Sequence, residues 1–578
     1  MDASSLTLSQ AVSTLQLALQ NAGRLADVAP RLAQTVRAAG ELEAWDLPET
    51  TVRTLAAIRD GGVLQVGEAL RSLALLGARV GAGESELARL EKRDGASSLS
   101  PLAAVREIFS PLTFTRPSPS PGFWARMADP TDGFSPFTTE GGTQVAFFAK
   151  AHDLGSFWSE SLDRHWANGL GLAVFLNDEE GVCGMIFVHG VGRSPWSRLK
   201  RNLWLSSGGT MAFRDDRMTF GQALKRVVDK GVAMTHKWRS IDEALHQVKH
   251  DTPTGLGGSK GILLHRNNGQ GFAKSLTVYA DVLTTLGISL TGSDEGVGPE
   301  AADALAKLAP WNIVGSKFGN YRGHAPIGHT AAGVYSALRN VHEEFLGGTV
   351  SPVLIVGFGG IGSLLHQKLR NVRGSPVAGV VDIDPGKLCA LRSGGFPAPL
   401  YHDASVRMPN VWESVRMAWH GIRSEAGLAP IVTMLPEARI LSPNGGPQPI
   451  TFDVAAAMIM SGVRAVAGAA NNQNAFDAHG SPDAIAWILQ AAGIFHAADF
   501  AVNRMGAAAV VANAIGLGHF DLRRMADTVG SSVKTQIDFA FSRGVPPFVH
   551  ERRRAERAWN DLLSSSQAMG GRFSDDPR

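Results

Sequence analysis

The run Pro352–Gly362, PVLIVGFGGIG, constrains this chain more than any other stretch. An apolar, β-branched segment leads straight into Gly357-x-Gly359-x-x-Gly362. A helical pattern follows at Leu364, Leu365 and Leu369, then a second β run, Val377–Val381, ending in Asp382. Strand, tight turn, helix, strand and acid in this order form the start of a dinucleotide-binding fold. Gly357 permits the turn, Gly359 lets the backbone approach a pyrophosphate, and Gly362 lets the helix pack close to the strand. The unpaired N–H groups where the helix begins, at Gly360 and Ile361, suit phosphate oxygens. Asp382, twenty residues past Gly362, stands where a carboxylate accepts hydrogen bonds from ribose hydroxyls and repels a ribose phosphate. NAD is therefore expected in preference to NADP. Asp384, two residues on, is the alternative acid.

A chain of 578 residues exceeds one ordinary core and implies about three structural units. A net charge of +2 with 19% charged residues describes an ordinary globular protein and argues against a nucleic-acid or membrane partner. The basic run Arg552–Arg554 is interrupted by flanking Glu551 and Glu556 and reads as a solvated helix face. Cys183 and Cys389 are the only cysteines, so no disulfide framework is expected, which suits a reducing compartment. No signal peptide is read at the N-terminus, and the least polar window, Gly506–Gly518, is too short to span a bilayer. A cytoplasmic location is the expectation.

Along the chain, residues 1 to about 108 read as successive helices, with Leu6, Leu15, Leu17, Leu19 and Leu25 recurring among polar residues. Ser110–Pro121 has the proline spacing of a linker. Strands are expected at Gln144–Phe148, Leu172–Leu176 and Cys183–Val188, a helix at Thr219–Met234 and a glycine-rich turn at Gly255–Gly261. Thr330–Phe345 reads as one long helix. Strands are expected near Ile431–Met434 and Ala465–Ala467, and the last seventy residues as helical.

Three titratable residues lie in unusual surroundings. Lys237 closes Gly231-Val-Ala-Met-Thr-His-Lys, Lys260 is flanked by glycine in Gly257-Gly-Ser-Lys-Gly261, and Asp294 lies in Thr291-Gly-Ser-Asp-Glu-Gly296. A lysine amid glycines can be approached closely and lose hydration, which lowers its pKa. A nearby carboxylate completes an acid/base pair of the kind that must manage the proton accompanying a hydride.

These segments, taken in order with Gly208-Gly-Thr and Pro326-Ile-Gly-His-Thr330, resemble the glutamate/leucine/phenylalanine/valine dehydrogenases. Ala467-Gly-Ala-Ala-Asn-Asn-Gln473 and Gly493-Ile-Phe-His-Ala-Ala-Asp-Phe-Ala-Val-Asn503 are similar to motifs of the leucine/phenylalanine branch. The likeness covers about 200 to 560. It implies that Lys237 pairs with a substrate α-carboxylate, that Lys260 stabilises the carbinolamine oxygen, and that Asp294 is the general acid/base. Gly208 and Gly209 would line the substrate cleft. Thr330 would contact the nicotinamide carboxamide, Asn471 and Asn472 would lie near the cofactor, and Asn503 near the substrate. Ser207 occupies the position where glutamate enzymes of the family carry a lysine for the side-chain carboxylate. Ser207 therefore implies a neutral amino acid.

The resemblance implies an α/β fold: a Rossmann dinucleotide-binding domain (336–505) and a mixed α/β substrate domain (123–335). C-terminal helices (506–578) return to the latter, and an N-terminal helical extension with its linker (1–122) has no counterpart in the family. The implied reaction is reversible, NAD-dependent oxidative deamination of a neutral L-amino acid to a 2-oxoacid and ammonia, by a homo-oligomer without bound metal. Other readings are an inactive dinucleotide-binding regulator and an imine-reducing enzyme on the same fold. The chain also departs from the family. Lys237 and Lys260 are twenty-three residues apart, wider than the family spacing, so Trp238–Thr254 must form a loop or helix. Lys249 sits at the family spacing but lacks glycine neighbours, and Lys260 is preferred. Arg504 places an arginine beside the pocket, and the family's Pro-Cys-Ala loop appears only as Ser442-Pro-Asn-Gly-Gly446.

Overall fold

A computed structural model describes residues 99–115, 136–148, 153–154, 171–189, 192–193, 204–248, 254–266, 270–287, 289–320, 326–348, 351–370, 377–404, 409–425, 431, 434–445, 449–474, 483–512 and 517–570. The expected N-terminal helices lie outside these residues except for Pro101–Phe109, capped by Ser100. Lys249 and the second half of the proline-rich linker, residues 116–121, also lie outside them. Two compact units emerge. Of the described residues, Ile327–Asn503 and Ala526–Arg552 form the first; residues 99–326, Arg504–Met525 and Arg553–Gly570 form the second.

The second unit is built on an eight-stranded mixed sheet. Its strands are β1 (Phe137–Thr138), β2 (Gln144–Phe148), β3 (Gly171–Asn177), β4 (Val182–Val188), β5 (Gly192–Arg193), β6 (Trp204–Arg214), β7 (Gly257–His265) and β8 (Ser289–Ser293). The order is β1-β2-β3-β4-β7-β6-β5, with β8 also pairing with β6. The first four run antiparallel, while β7 and β8 both flank β6 in parallel. Strands β3, β4 and β7 are buried at every position, so their apolar runs are nearly continuous and not alternating. The two faces feed separate cores. Leu172, Val174, Met185, Ile262 and Leu264 pack with Phe220, Leu224 and Val227 of the helix Phe220–Gln247. Ala173, Phe175, Ile186 and Leu263 pack with Tyr279 and Leu283 of the helix Gln270–Leu286.

Two expectations are corrected here. Gly257–Gly261 is not a turn but the start of β7; the turn is confined to Gly255, with φ +61°. The glycines serve close packing on both faces. A side chain at Gly258 would run into the backbone of Thr235 and Gly231, and one at Gly261 into the Tyr279 hydroxyl. The helix expected to stop at Met234 continues to Gln247, so the extra segment after Lys237 is largely three more helical turns. It starts at a capping box in which Thr219 and Gln222 satisfy each other's backbone N–H groups.

The first unit is a seven-stranded, wholly parallel sheet. Its strands are β9 (Val353–Val356), β10 (Val377–Asp382), β11 (Leu400–Asp403), β12 (Arg423–Glu425), β13 (Ile440–Pro443), β14 (Ala465–Val466) and β15 (Phe495–His496). The order β12-β11-β10-β9-β13-β14-β15 is the doubly wound Rossmann order with one added edge strand. The strand expected near Ile431–Met434 lies instead at β13. Ile431 and Met434 sit in helical turns, their apolar side chains buried against the sheet. Helix Pro326–Asn340 changes to a π turn over Val341–Phe345, so the long expected helix is two pieces. The C-terminal stretch is helical over His519–Arg543 and Pro547–Gly570. Its basic run is not merely solvated: Arg552 is bonded to Asp483 and Arg554 to Glu243. Cys183 and Cys389 are buried free thiols.

Candidate active site

In the second unit, strand alternation places Lys260 on the face that Ile262 and Leu264 share, beneath the helix Phe220–Gln247. Lys260 is 4% exposed. Its Nζ donates to Oδ2 of Asp294, which follows β8. The pair reaches across β6, which lies between β7 and β8, and the residue beneath it is Gly209. A Cβ at Gly209 would lie 3.0 Å from both Lys260 Nζ and Asp294 Oδ2, so any side chain there would push into the pair. Gly208 faces the other way: a side chain there would collide with the Ser259 carbonyl, so it permits the close approach of β6 to β7.

Burial lowers the pKa of Lys260, opposed by the attraction of Asp294 and assisted by the like charge of Lys230. Burial alone would raise the pKa of Asp294. The charges of Lys260 and Lys230, with hydrogen bonds from Lys260 and the Glu295 N–H, outweigh it and hold the carboxyl well below the usual carboxylate range. The resting pair is thus an ammonium and a carboxylate inside a desolvated sheet face. Lys230 is a residue that reading the sequence missed, although its i,i+7 relation to Lys237 on one helix was there to be seen.

On the opposite face of the sheet, Thr210 hydrogen-bonds the Tyr279 hydroxyl (2.8 Å) and Thr291 (2.6 Å), tying β6 to β8. Ser207 shares the face of Gly209. Its hydroxyl is buried with no hydrogen-bond partner among the described residues, while its carbonyl accepts from Trp238 Nε1 at 2.9 Å. Lys237 is buried on the helix Phe220–Gln247, two turns beyond Lys230. Arg504 is also fully buried. Its Nη1 donates to the hydroxyl (3.0 Å) and carbonyl (3.3 Å) of Ser240, one turn past Lys237.

In the first unit, the strand order reverses at β9 and β13, the switch point where such sheets bind ligands. Gly357, with φ +90°, turns the chain there. A Cβ on it would come within 2.6 Å of the Gly445 N, so the loops after β9 and β13 meet backbone to backbone. Gly359 faces open space, Gly360 lies against Ile327, and Gly362 packs on the Gly357 carbonyl. Ile361 stands half-buried in the first turn of the helix Gly360–Arg370. Asp382 ends β10. Its oxygens accept from the N–H groups of Phe358 and Asp384, so the acid braces the glycine turn and keeps further lone pairs available. Asp384 is engaged differently, capping the helix Pro385–Ser393.

Thr330 is buried in the first turns of the helix Pro326–Asn340. Asn471 and Asn472 are half-buried after β14, and Asn472 has φ +50°. Asn503 Nδ2 donates to Asn471 Oδ1 (2.8 Å) and the Ala469 carbonyl (3.0 Å). Its Oδ1 is buried without a hydrogen-bond partner among the described residues, an acceptor that a ligand N–H would satisfy. An open glycine turn and a braced acid fit a nicotinamide dinucleotide. Among the described residues, no group of three or more His, Cys, Asp or Glu side chains is arranged to hold a metal ion, and no helix is long and apolar enough to cross a membrane.

No protein-family profile matches the sequence, and no curated protein matches it. Among solved structures, the chain is similar to an L-tryptophan dehydrogenase from Nostoc punctiforme at 18% identity, covering 71% of this chain and 99% of that one, with a TM-score of 0.45. It is similar to a hetero-hexameric glutamate dehydrogenase from Thermus thermophilus at 15% identity, covering 79% and 99%, with a TM-score of 0.46. A Plasmodium falciparum glutamate dehydrogenase matches at 11% identity over 86% and 94%, with a TM-score of 0.48. These likenesses assign no activity to this chain.

Proposed function

We propose that this chain is an amino acid dehydrogenase that uses NAD to deaminate a neutral L-amino acid to its 2-oxoacid and ammonia, reversibly. The observation that carries the reading is the Lys260–Asp294 pair over Gly209, its lysine buried and its aspartate half-buried, in a chain whose other unit presents a dinucleotide turn braced by Asp382. A bound nicotinamide dinucleotide supplies the hydride acceptor. The chain's own residues do the rest. Lys237 pairs with the substrate α-carboxylate. Lys260 stabilises the oxygen of the carbinolamine, its lowered pKa easing proton loss. Asp294, ionised at rest, takes a proton first and returns it to the leaving amine. Asn503 offers its free Oδ1 to the substrate, while Thr330, Asn471 and Asn472 hold the cofactor. Asp382 selects NAD because the additional 2′-phosphate of NADP beside a braced carboxylate is repelled.

Purified protein mixed with NAD and a panel of L-amino acids, followed by NADH absorbance, tests the reading. Turnover is expected with neutral amino acids and should vanish in Lys260→Ala and Asp294→Asn. No turnover with any member of the panel, in either direction and with either cofactor, overturns it.

A further inference from the structure

Asp294 is gripped from two sides. Lys260 of β7 takes Oδ2. On the other side, Oδ1 accepts the Glu295 N–H at 2.7 Å and faces Lys230 Nζ at 3.8 Å. Lys230 also lies 3.3 Å from Glu295 Oε2, which Arg226 binds as well. The Lys230 side chain is only 11% exposed, so its ammonium has given up much of its water for these two carboxylates. The loop that carries them is fixed to the sheet, because Ala212 N donates to the Glu295 carbonyl (2.9 Å) and Gly296, at φ +77°, sits against Ala212.

We propose that Lys230 is a positioning residue of the reacting pair: from the helix Phe220–Gln247 it holds Oδ1 of Asp294, leaves Oδ2 to Lys260, and keeps a second ammonium facing Lys260. The inference rests on Lys260 and Asp294 being that pair. The charged groups facing it are Lys230 from the helix and Glu295 from the loop after β8, with Arg226 of the helix bound to Glu295. Two cations sharing one carboxylate hold it ionised, and each weakens the other's hold on its proton. Removing Lys230 should therefore raise the proton affinity of both partners.

Trace acetylation of the full chain across pH, read by mass spectrometry on the Lys260 peptide, reports that affinity without needing turnover. In Lys230→Met the Lys260 midpoint should rise by roughly 0.5–1 pH unit, the size expected for one nearby charge in a partly desolvated setting. The acid limb of kcat should move the same way with little change in KM, and Lys230→Arg should restore both. If Lys230→Met leaves the midpoint and the pH profile in place, Lys230 is only a strap between helix and loop and the inference is overturned. Failure of the functional reading shows separately, as Lys260→Ala that still turns over substrate, whatever the Lys230 variants do.

Discussion

His496 shows how one protonation site can set acid stability. It is fully buried at the end of the sheet, stacked on Phe548 at an interplanar angle of 4°, and 3.3 Å from Gln473 Oε1. Gln473 Nε2 already donates to the Gly468 and Ala470 carbonyls, so His496 Nε2 must be the donor to Oε1. Nδ1 is then bare, with no hydrogen-bond partner among the described residues. Burial pushes the imidazole pKa down to about 3. The folded pKa lies below the unfolded value, so the folded state binds fewer protons. Stability is full above about 6.5 and falls as pH drops toward about 3, at up to roughly 1.4 kcal/mol per pH unit. Urea unfolding across this window should show the slope in the wild type and less of it in His496→Phe. Equal slopes would assign the acid lability elsewhere. Ser207 carries a second residue-scale expectation. A buried substrate carboxylate beside it would lack a cation, so turnover should favour leucine or phenylalanine over glutamate. Ser207→Lys should shift the kcat/KM ratio toward glutamate by about tenfold or more, roughly 1.4 kcal/mol. Lys260 and Asp294 were legible as candidates because glycines crowd them. Lys230 was not, because an ordinary lysine on a helix becomes informative only once the loop after β8 is seen to face it.

At the scale of elements, the glycines around Lys260 singled out a residue that the structure pairs with Asp294, but with the wrong backbone geometry. Gly257-Gly-Ser-Lys-Gly reads as a turn because glycine density marks turns, yet these glycines let a helix backbone and a tyrosine hydroxyl approach a fully buried strand. Gly258→Val should therefore push the helix Phe220–Gln247 off the sheet, costing about 1–3 kcal/mol as overpacking does, and lower Tm. A turn role would instead make Gly255, the position at positive φ, the more sensitive of the two to alanine. The Rossmann turn was legible in full because each glycine answers a separate local demand. Strand β13 was not: its ILSP is short, and the apolar residues Ile431 and Met434 upstream mimic a strand although they cover the sheet from helical turns. The length of the helix beyond Met234 was missed for a related reason. Trp238, Ile241 and Leu245 continue its buried stripe past the motif at which the reading stopped.

At the scale of the whole molecule, the two units own separate sheets and separate cores, one built around β3, β4 and β7 and the other around β9, β10 and β13. A ligand that binds the native form of one unit stabilises that unit by mass action, about 2.7 kcal/mol at a free concentration of one hundred times Kd. NAD should therefore slow hydrogen exchange at Gly359–Ile361, where the proposed site would place the phosphates, and at Asn471 and Asn503, and should slow the deepest exchange in β9, β10 and β13. Strands β3 and β4 should change far less. Asp382→Ser tests the selectivity on the same readout. The acid braces Phe358 N–H and in the proposed function would face the ribose, so its loss should loosen the turn without ligand and weaken NAD, leaving NADP no worse than before. A wild type protected better by NADP than by NAD would remove Asp382 from this role. Saturating NAD that leaves exchange at the glycine turn unchanged would remove the turn itself, and with it the cofactor on which the proposed chemistry depends.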